Sequence, residues 1–163
     1  MIGRTLVLLA AIVATGVPAQ AADNTLVGTW RIVSFERENV DTKAMSKGFG
    51  GNAMGFATYT PDGRVSFMVI DAKRKAPAQT YATDDEATSM YRTMNAYSGS
   101  YRIQGDQINI HIDIASNQAL TNTDTTRTFK IDGDQLTLTT PPEKNSFLKD
   151  QTTIAKLVYE RVK

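Results

Sequence analysis

The chain has 163 residues, with 18 lysines and arginines against 17 acidic residues, one histidine and no cysteine. That composition excludes disulfides, thiol nucleophiles, thiolate–metal centres and a multi-histidine metal site within one chain, and its near-neutral balance offers no concentrated basic face for nucleic acid. The length sets the expectation of one domain. At the N-terminus, "MIGR" carries one positive charge, "TLVLLAAIVATGV" is an apolar run, and "PAQA" ends on Ala19 and Ala21 in an A-x-A pattern. These three features predict a secretory signal peptide over residues 1–21, cleaved near Ala21 or Ala22, and a mature domain over 22–163 that is periplasmic or secreted. A membrane anchor fits less well, because a span needs about 20 apolar residues and this run is shorter. Removing the segment takes away Arg4 and no acidic residue, so the mature chain balances 17 against 17. No polybasic helix follows that would hold the mature chain on a membrane.

The rest of the chain is mostly short alternating runs separated by turn residues. "LVGTWRIVSFER" (26–37) opens it. "NAMGFATYT" leads through Pro61-Asp62-Gly63 into "RVSFMVI", a tight turn in which proline presets φ and glycine accepts a positive one. "TDDEATSMYRTMNAY" interrupts the pattern: Thr83 with Glu86 three residues on is a capping box, and Asp84 and Asp85 suit the positive end of a helix, which predicts a short helix from about Asp84 to Asn95. "GSYRI" turns at "QGD" into "QINIHIDIA", and "TTRTFKI" turns at "DGD" into "QLTLTT". "TTIAKLVYERVK" closes the chain. Residues 46–52 and 141–146 read as loops by composition. Three hairpins plus the opening and closing runs make eight strands, which predicts an all-β, antiparallel, up-and-down barrel with one short helix.

Alternation then separates inside from outside. Ile108, Ile110, Ile112 and Ile114 share the inner face, and Gln107, Asn109, His111 and Asp113 the outer. Phe129 and Ile131 pair with Leu136 and Leu138, while Leu157, Tyr159 and Arg161 share one face. Met54, Phe56, Phe67, Met90 and Met94 read as packing residues, with Phe67 also facing the barrel interior. Trp30, the only tryptophan, buries a large area and needs a partner for its indole N–H. Gly28, two residues earlier on the same face, leaves room beside it. First and last strands are neighbours in a closed barrel, so Arg161 is the expected cation over the indole.

This arrangement resembles the lipocalin signature, G-x-W on the first strand with an arginine from the chain's end over the tryptophan. The chain as a whole resembles the bacterial and fungal lipocalin-like domain family. The resemblance is carried in order by "LVGTWRIVSFE", "YTPDGRVSFMV", "AYSGSYRIQGDQI", "IHID", "RTFKIDGDQLTL" and "YER". It implies a lipocalin-like barrel and a small molecule held inside it. The chain departs from the family at Tyr159 and Leu120, each standing where relatives often carry tryptophan, and at Ala115-Ser116-Asn117-Gln118, where relatives often read Ser-x-Asn-Pro.

The expected ligand contacts are Phe67, Tyr97, Tyr101, Ile110, Arg127, Phe129 and Tyr159, with Gly28, Trp30 and Arg161 structural. Tyrosines supply an apolar ring and an orienting hydroxyl. Arg127 shares parity with Phe129 and requires a counter-charge, either Glu36, Glu160 or a ligand carboxylate. His111 is either a structural residue on the outer face or a base or ligand contact. Asp84-Asp85-Glu86 is explained as a helix start, so no metal or cofactor is expected, and no catalytic residue is assigned. Three functions stay open: binding of a small, mostly apolar or amphipathic molecule, acid–base chemistry in the cavity by Tyr101, Arg127 and His111, or a filled barrel acting in stress or interaction through its loops.

Overall fold

The computed structural model describes residues 25–144, 148 and 151–163. The expected signal peptide and its cleavage point lie outside those residues. In chain order the elements are β1 (Gly28–Asn39), β2 (Met45–Lys47), a 3-10 turn (Gly48–Gly51), β3 (Ala53–Tyr59), β4 (Arg64–Asp71), α1 (Asp84–Arg92), β5 (Met94–Gln104), β6 (Gln107–Ala115), a second 3-10 turn (Gln118–Leu120), β7 (Thr123–Asp132), β8 (Gln135–Thr139), β9 (Glu143–Lys144) and β10 (Thr152–Arg161). Strands β1, β3 to β8 and β10 run antiparallel, and β10 pairs back onto β1, which closes an eight-stranded barrel. The short β2 and β9 extend its rim, β2 on Glu36–Glu38 of β1 and β9 on Thr152 and Thr153 of β10. Part of the expected 46–52 loop is therefore β2 and a helical turn, and part of the expected 141–146 loop is β9.

The three expected hairpins form where the turn chemistry places them. Gly63, Gly105 and Gly133 sit at φ +79°, +62° and +58°, where a side chain would be strained, and all three turns lie at one end of the barrel. The capping box is present: the Thr83 hydroxyl accepts from Glu86 N, and the Glu86 carboxylate accepts from Thr83 N at 2.8 Å. The helix stops at Arg92 rather than Asn95, because Met94 and Asn95 pair with Ile70 and Val69 and extend β5 instead. A ladder shared with β4 outcompetes one more helical turn that would bury nothing.

Two bulges change which residues face in. In β1 the register slips between Ile32 and Ser34, so Phe35 and Arg37 join the inner face opposite Leu157 and Ala155. In β6 the register slips opposite Ser98/Gly99, so Ile114 is 64% exposed and Ala115 takes the inward place opposite Tyr97. An extra residue in one strand inverts the alternation beyond it. Met54 and Phe56 are half exposed rather than packed inside, because Gly55, Ala57 and Tyr59 hold the inner face of β3. Met90 and Met94 are half-buried.

The turn end of the barrel is filled. Trp30 is fully buried, its indole N–H donates to Leu26 O at 2.8 Å, and the Arg161 guanidinium lies 4.0 Å from its ring centroid. The same guanidinium donates to Val27 O at 2.8 Å and to Thr25 O. Gly28 explains the fit: at φ +136°, a Cβ there would come within 2.7 Å of Arg161 Nη1. Arg161 thus fastens the chain before β1 onto the last strand. Arg161→Ala is expected to lower the unfolding free energy by about 2 kcal/mol, through lost ring contact and two lost carbonyl partners. Arg161→Lys should recover less than half of that, since an ammonium lacks the planar fork. Urea denaturation of both variants checks this, and an Arg161→Ala loss under about 0.5 kcal/mol would refute it.

Candidate functional site: a polar-tipped cavity in the barrel

The end of the barrel opposite the tight turns is open inside. β1 enters it with Phe35 and Arg37, β5 with Asn95 and Tyr97, β7 with Thr125 and Arg127, and β10 with Ala155, Leu157 and Tyr159. Together with Phe67, Ile112 and Leu138 they line a cavity of about 220 Å³, whose rim carries Glu143 and Lys144 of β9. This volume lies below the roughly 300–1,000 Å³ of pockets for drug-sized ligands, so a small occupant is implied. The Phe67 and Tyr97 rings stack at 4.9 Å and 29°, forming one flat wall.

Arg127 is a mostly buried charge on this wall, with its side chain 15% exposed. Its Nη1 donates to Thr125 Oγ1 at 2.5 Å and Thr126 O at 2.9 Å, and lies 3.4 Å from Glu143 Oε2. The protein carboxylate is therefore Glu143, not Glu36 or Glu160. The β1 bulge turns Glu36 to the outer face, beside Lys47 and Lys156, and Glu160 pairs with Arg31 at 2.9 Å on the surface. Arg37 lies 4.1 Å over the Phe35 ring. Burial lowers its pKa, and the Glu143 charge partly offsets that.

Two phenols, Tyr97 and Tyr159, line this cavity, and a third, Tyr59, is buried in the filled half. Burial pushes Tyr59 and Tyr159 well above the usual tyrosine range and raises Tyr97 as well, with neighbouring phenols or Glu143 adding to the rise and Arg127 opposing it. They serve here as neutral donors and acceptors rather than bases. The protein satisfies most buried polar tips: Tyr101 donates to Thr60 O at 3.0 Å, and the Thr140 hydroxyl accepts from Ala155 N at 2.9 Å. Among the described residues, two buried side-chain polar atoms have no protein partner, Tyr159 Oη and Asn95 Oδ1. Both residues line the cavity. Leaving such an atom unpaired costs about 1–3 kcal/mol.

Of the residues expected to touch a ligand, Phe67, Tyr97, Arg127 and Tyr159 come together around this cavity. Tyr101, Ile110 and Phe129 do not. Tyr101 packs edge-on against Tyr59 at 5.1 Å toward the turn end, Ile110 is buried in the core, and Phe129 lies half-buried opposite Leu138. His111 is on the outer wall, its Nδ1 2.9 Å from Asp124 Oδ1. Arg37, Asn95 and Glu143 were not anticipated. Simple alternation puts Arg37 outside, the helix assignment absorbed Asn95, and Glu143 sat in a proline-bounded stretch read as loop. No group of three potential metal ligands comes together among the described residues, and none of their helices is long and apolar enough to cross a membrane.

A profile of the lipocalin-like domain matches residues 27–162. Among solved structures, the chain is similar to a lipocalin-like protein from Bacteroides uniformis ATCC 8492, at 13% identity and TM-score 0.43, covering 84% of this chain and 98% of that one. It is also similar to an uncharacterized protein from Bacteroides eggerthii DSM 20697, at 14% identity and TM-score 0.39, covering 84% and 99%. A third is Rv2717c from M. tuberculosis, at 13% identity and TM-score 0.34, covering 86% and 94%. No curated protein matches the chain.

The buried phenols set an alkaline limit. Their folded pKa values are raised, so the unfolded chain loses these protons first as pH climbs through about 10. Stability is then fully present below that pH and lost above it, by up to about 1.4 kcal/mol per pH unit for each such phenol. Denaturant melts across that range should show a flat plateau and then a steep fall, with phenolate absorbance from these three appearing only on unfolding. A stability unchanged well above pH 10 would contradict the assignment.

Proposed function

The chain belongs to the lipocalin-like domain family, and from that premise we propose that it is an exported carrier or receptor for one small, mostly apolar molecule held in the open half of the barrel. The observation that carries this reading is the division of the interior. One half is filled by Trp30, Tyr59, Ile108 and Leu136, all essentially inaccessible, and the other encloses the cavity lined by Phe35, Phe67, Leu138 and Leu157. Eight strands leave room for packed side chains or one small ligand, and this barrel divides its length between the two. Export rests on the signal-like segment at residues 1–21.

Charge narrows the occupant. With Glu143 beside Arg127, a ligand carboxylate would have to displace a protein carboxylate already in place. The pocket therefore favours a neutral body. Calorimetric titration with octanoate and its methyl ester reads the choice. The ester should bind at least as tightly as the acid, and Arg127→Met should leave that order unchanged. Tighter binding of octanoate, abolished in Arg127→Met, would contradict the neutral-ligand reading. Protein purified from its own host should begin at Ala22 or Asp23, and a soluble chain beginning at Met1 would contradict export.

A further inference from the structure

We infer that the molecule held in the barrel carries a neutral hydroxyl group, an alcohol or phenol, whose O–H is received at Asn95 and whose oxygen is met by the Tyr159 hydroxyl. This rests on the barrel being a binding site and adds the chemistry of its polar end. The inference starts from where unpaired atoms occur. At the filled end, the Trp30 indole finds Leu26 O and the Tyr101 hydroxyl finds Thr60 O. The two buried side-chain atoms without a protein partner, among the described residues, are Tyr159 Oη and Asn95 Oδ1, and both belong to the wall of one cavity. Tyr159 is completely buried, so its hydroxyl reaches no bulk solvent, and the residue forms part of the cavity wall. A fold that satisfies its polar atoms elsewhere and leaves two unpaired in the wall of one cavity points to recognition there.

The types of the two atoms select the ligand group. Asn95 Oδ1 only accepts, so the ligand must present a donor to it. The Tyr159 phenol is neutral and both donates and accepts, so it pairs with the ligand's oxygen. A carboxylate brings no donor for Asn95. An ammonium brings donors but faces Arg37 and Arg127, which line the same cavity. A ketone or ester satisfies Tyr159 and leaves Asn95 unpaired. A hydroxyl serves both, and the aromatic wall of Phe67 and Tyr97 accommodates its carbon frame.

The test uses three probes of nearly equal shape, 4-propylphenol, propylbenzene and 4-propylbenzoate, with the whole mature protein and its Tyr159→Phe and Asn95→Val variants. Dissociation constants come from calorimetry or ligand-observed NMR. The phenol should bind wild type at least about tenfold tighter than the hydrocarbon, a difference of about 1.4 kcal/mol. Each variant should lose most of that preference while binding propylbenzene as before. Tyr159→Phe should melt at the same temperature as wild type or higher, since it removes an unpaired buried hydroxyl. Equal binding of phenol and hydrocarbon to wild type, or loss of both together in Tyr159→Phe, overturns the inference and leaves an apolar binding site. Preference for the benzoate overturns it in favour of an anion. Binding of none of the three overturns the binding reading itself, and this inference with it.

Discussion

The pairing of the first strand with the last is the constraint on which the rest of the molecule depends. A chain without disulfides is held by its own core and ladders, and closing β10 onto β1 pairs the edges the eight barrel strands would otherwise expose. That closure brings Trp30 opposite Arg161, and Arg161 in turn ties down the carbonyls of Thr25 and Val27. Gly28 is needed at this point because the guanidinium occupies the volume that a side chain would take. With this end sealed, side chains fill the barrel up to the level of Tyr59 and Leu136, and the rest of its length is available for other use.

Much of this was legible in the amino-acid sequence. Turn residues at Pro61-Asp62-Gly63, Gly105 and Gly133 announced the hairpins, and period-two alternation marked Ile108, Ile110, Leu136 and Leu138 as interior. The capping box fixed where the helix begins, though not where it ends. Alternation misled wherever a strand gained a residue. The β1 bulge moved Phe35 and Arg37 inward and Glu36 outward, and the β6 bulge put Ile114 outside. The β1 bulge has no glycine or proline at Val33, and the glycine that accompanies the β6 bulge, Gly99, sits on the partner strand, where a Cβ would collide with His111 O. The counter-charge of Arg127 was misplaced through the β1 bulge, and Glu143 comes from a two-residue strand too short to carry any period.

The bulges also decide which side chains line the cavity. Both lie in the open half, and each re-aims the wall beyond it: one brings a guanidinium to the rim, the other leaves small Ala115 opposite Tyr97. A strictly regular barrel would have presented Ser34 and Glu36 at those heights of β1. The result is an apolar middle, a rim where Glu143 faces Arg127 and Arg37, and phenols held neutral by burial. Polar atoms left without protein partners reduce stability, and such departures from a fully satisfied interior concentrate at functional sites.

The central claim is that the open half of the barrel holds one small neutral molecule. Native mass spectrometry of the protein purified from its own host without denaturation tests it most directly. The account predicts the mass of the mature chain plus a single small molecule that is released when the barrel unfolds. A bare chain that stays bare after exposure to a total organic extract of the same host would contradict it.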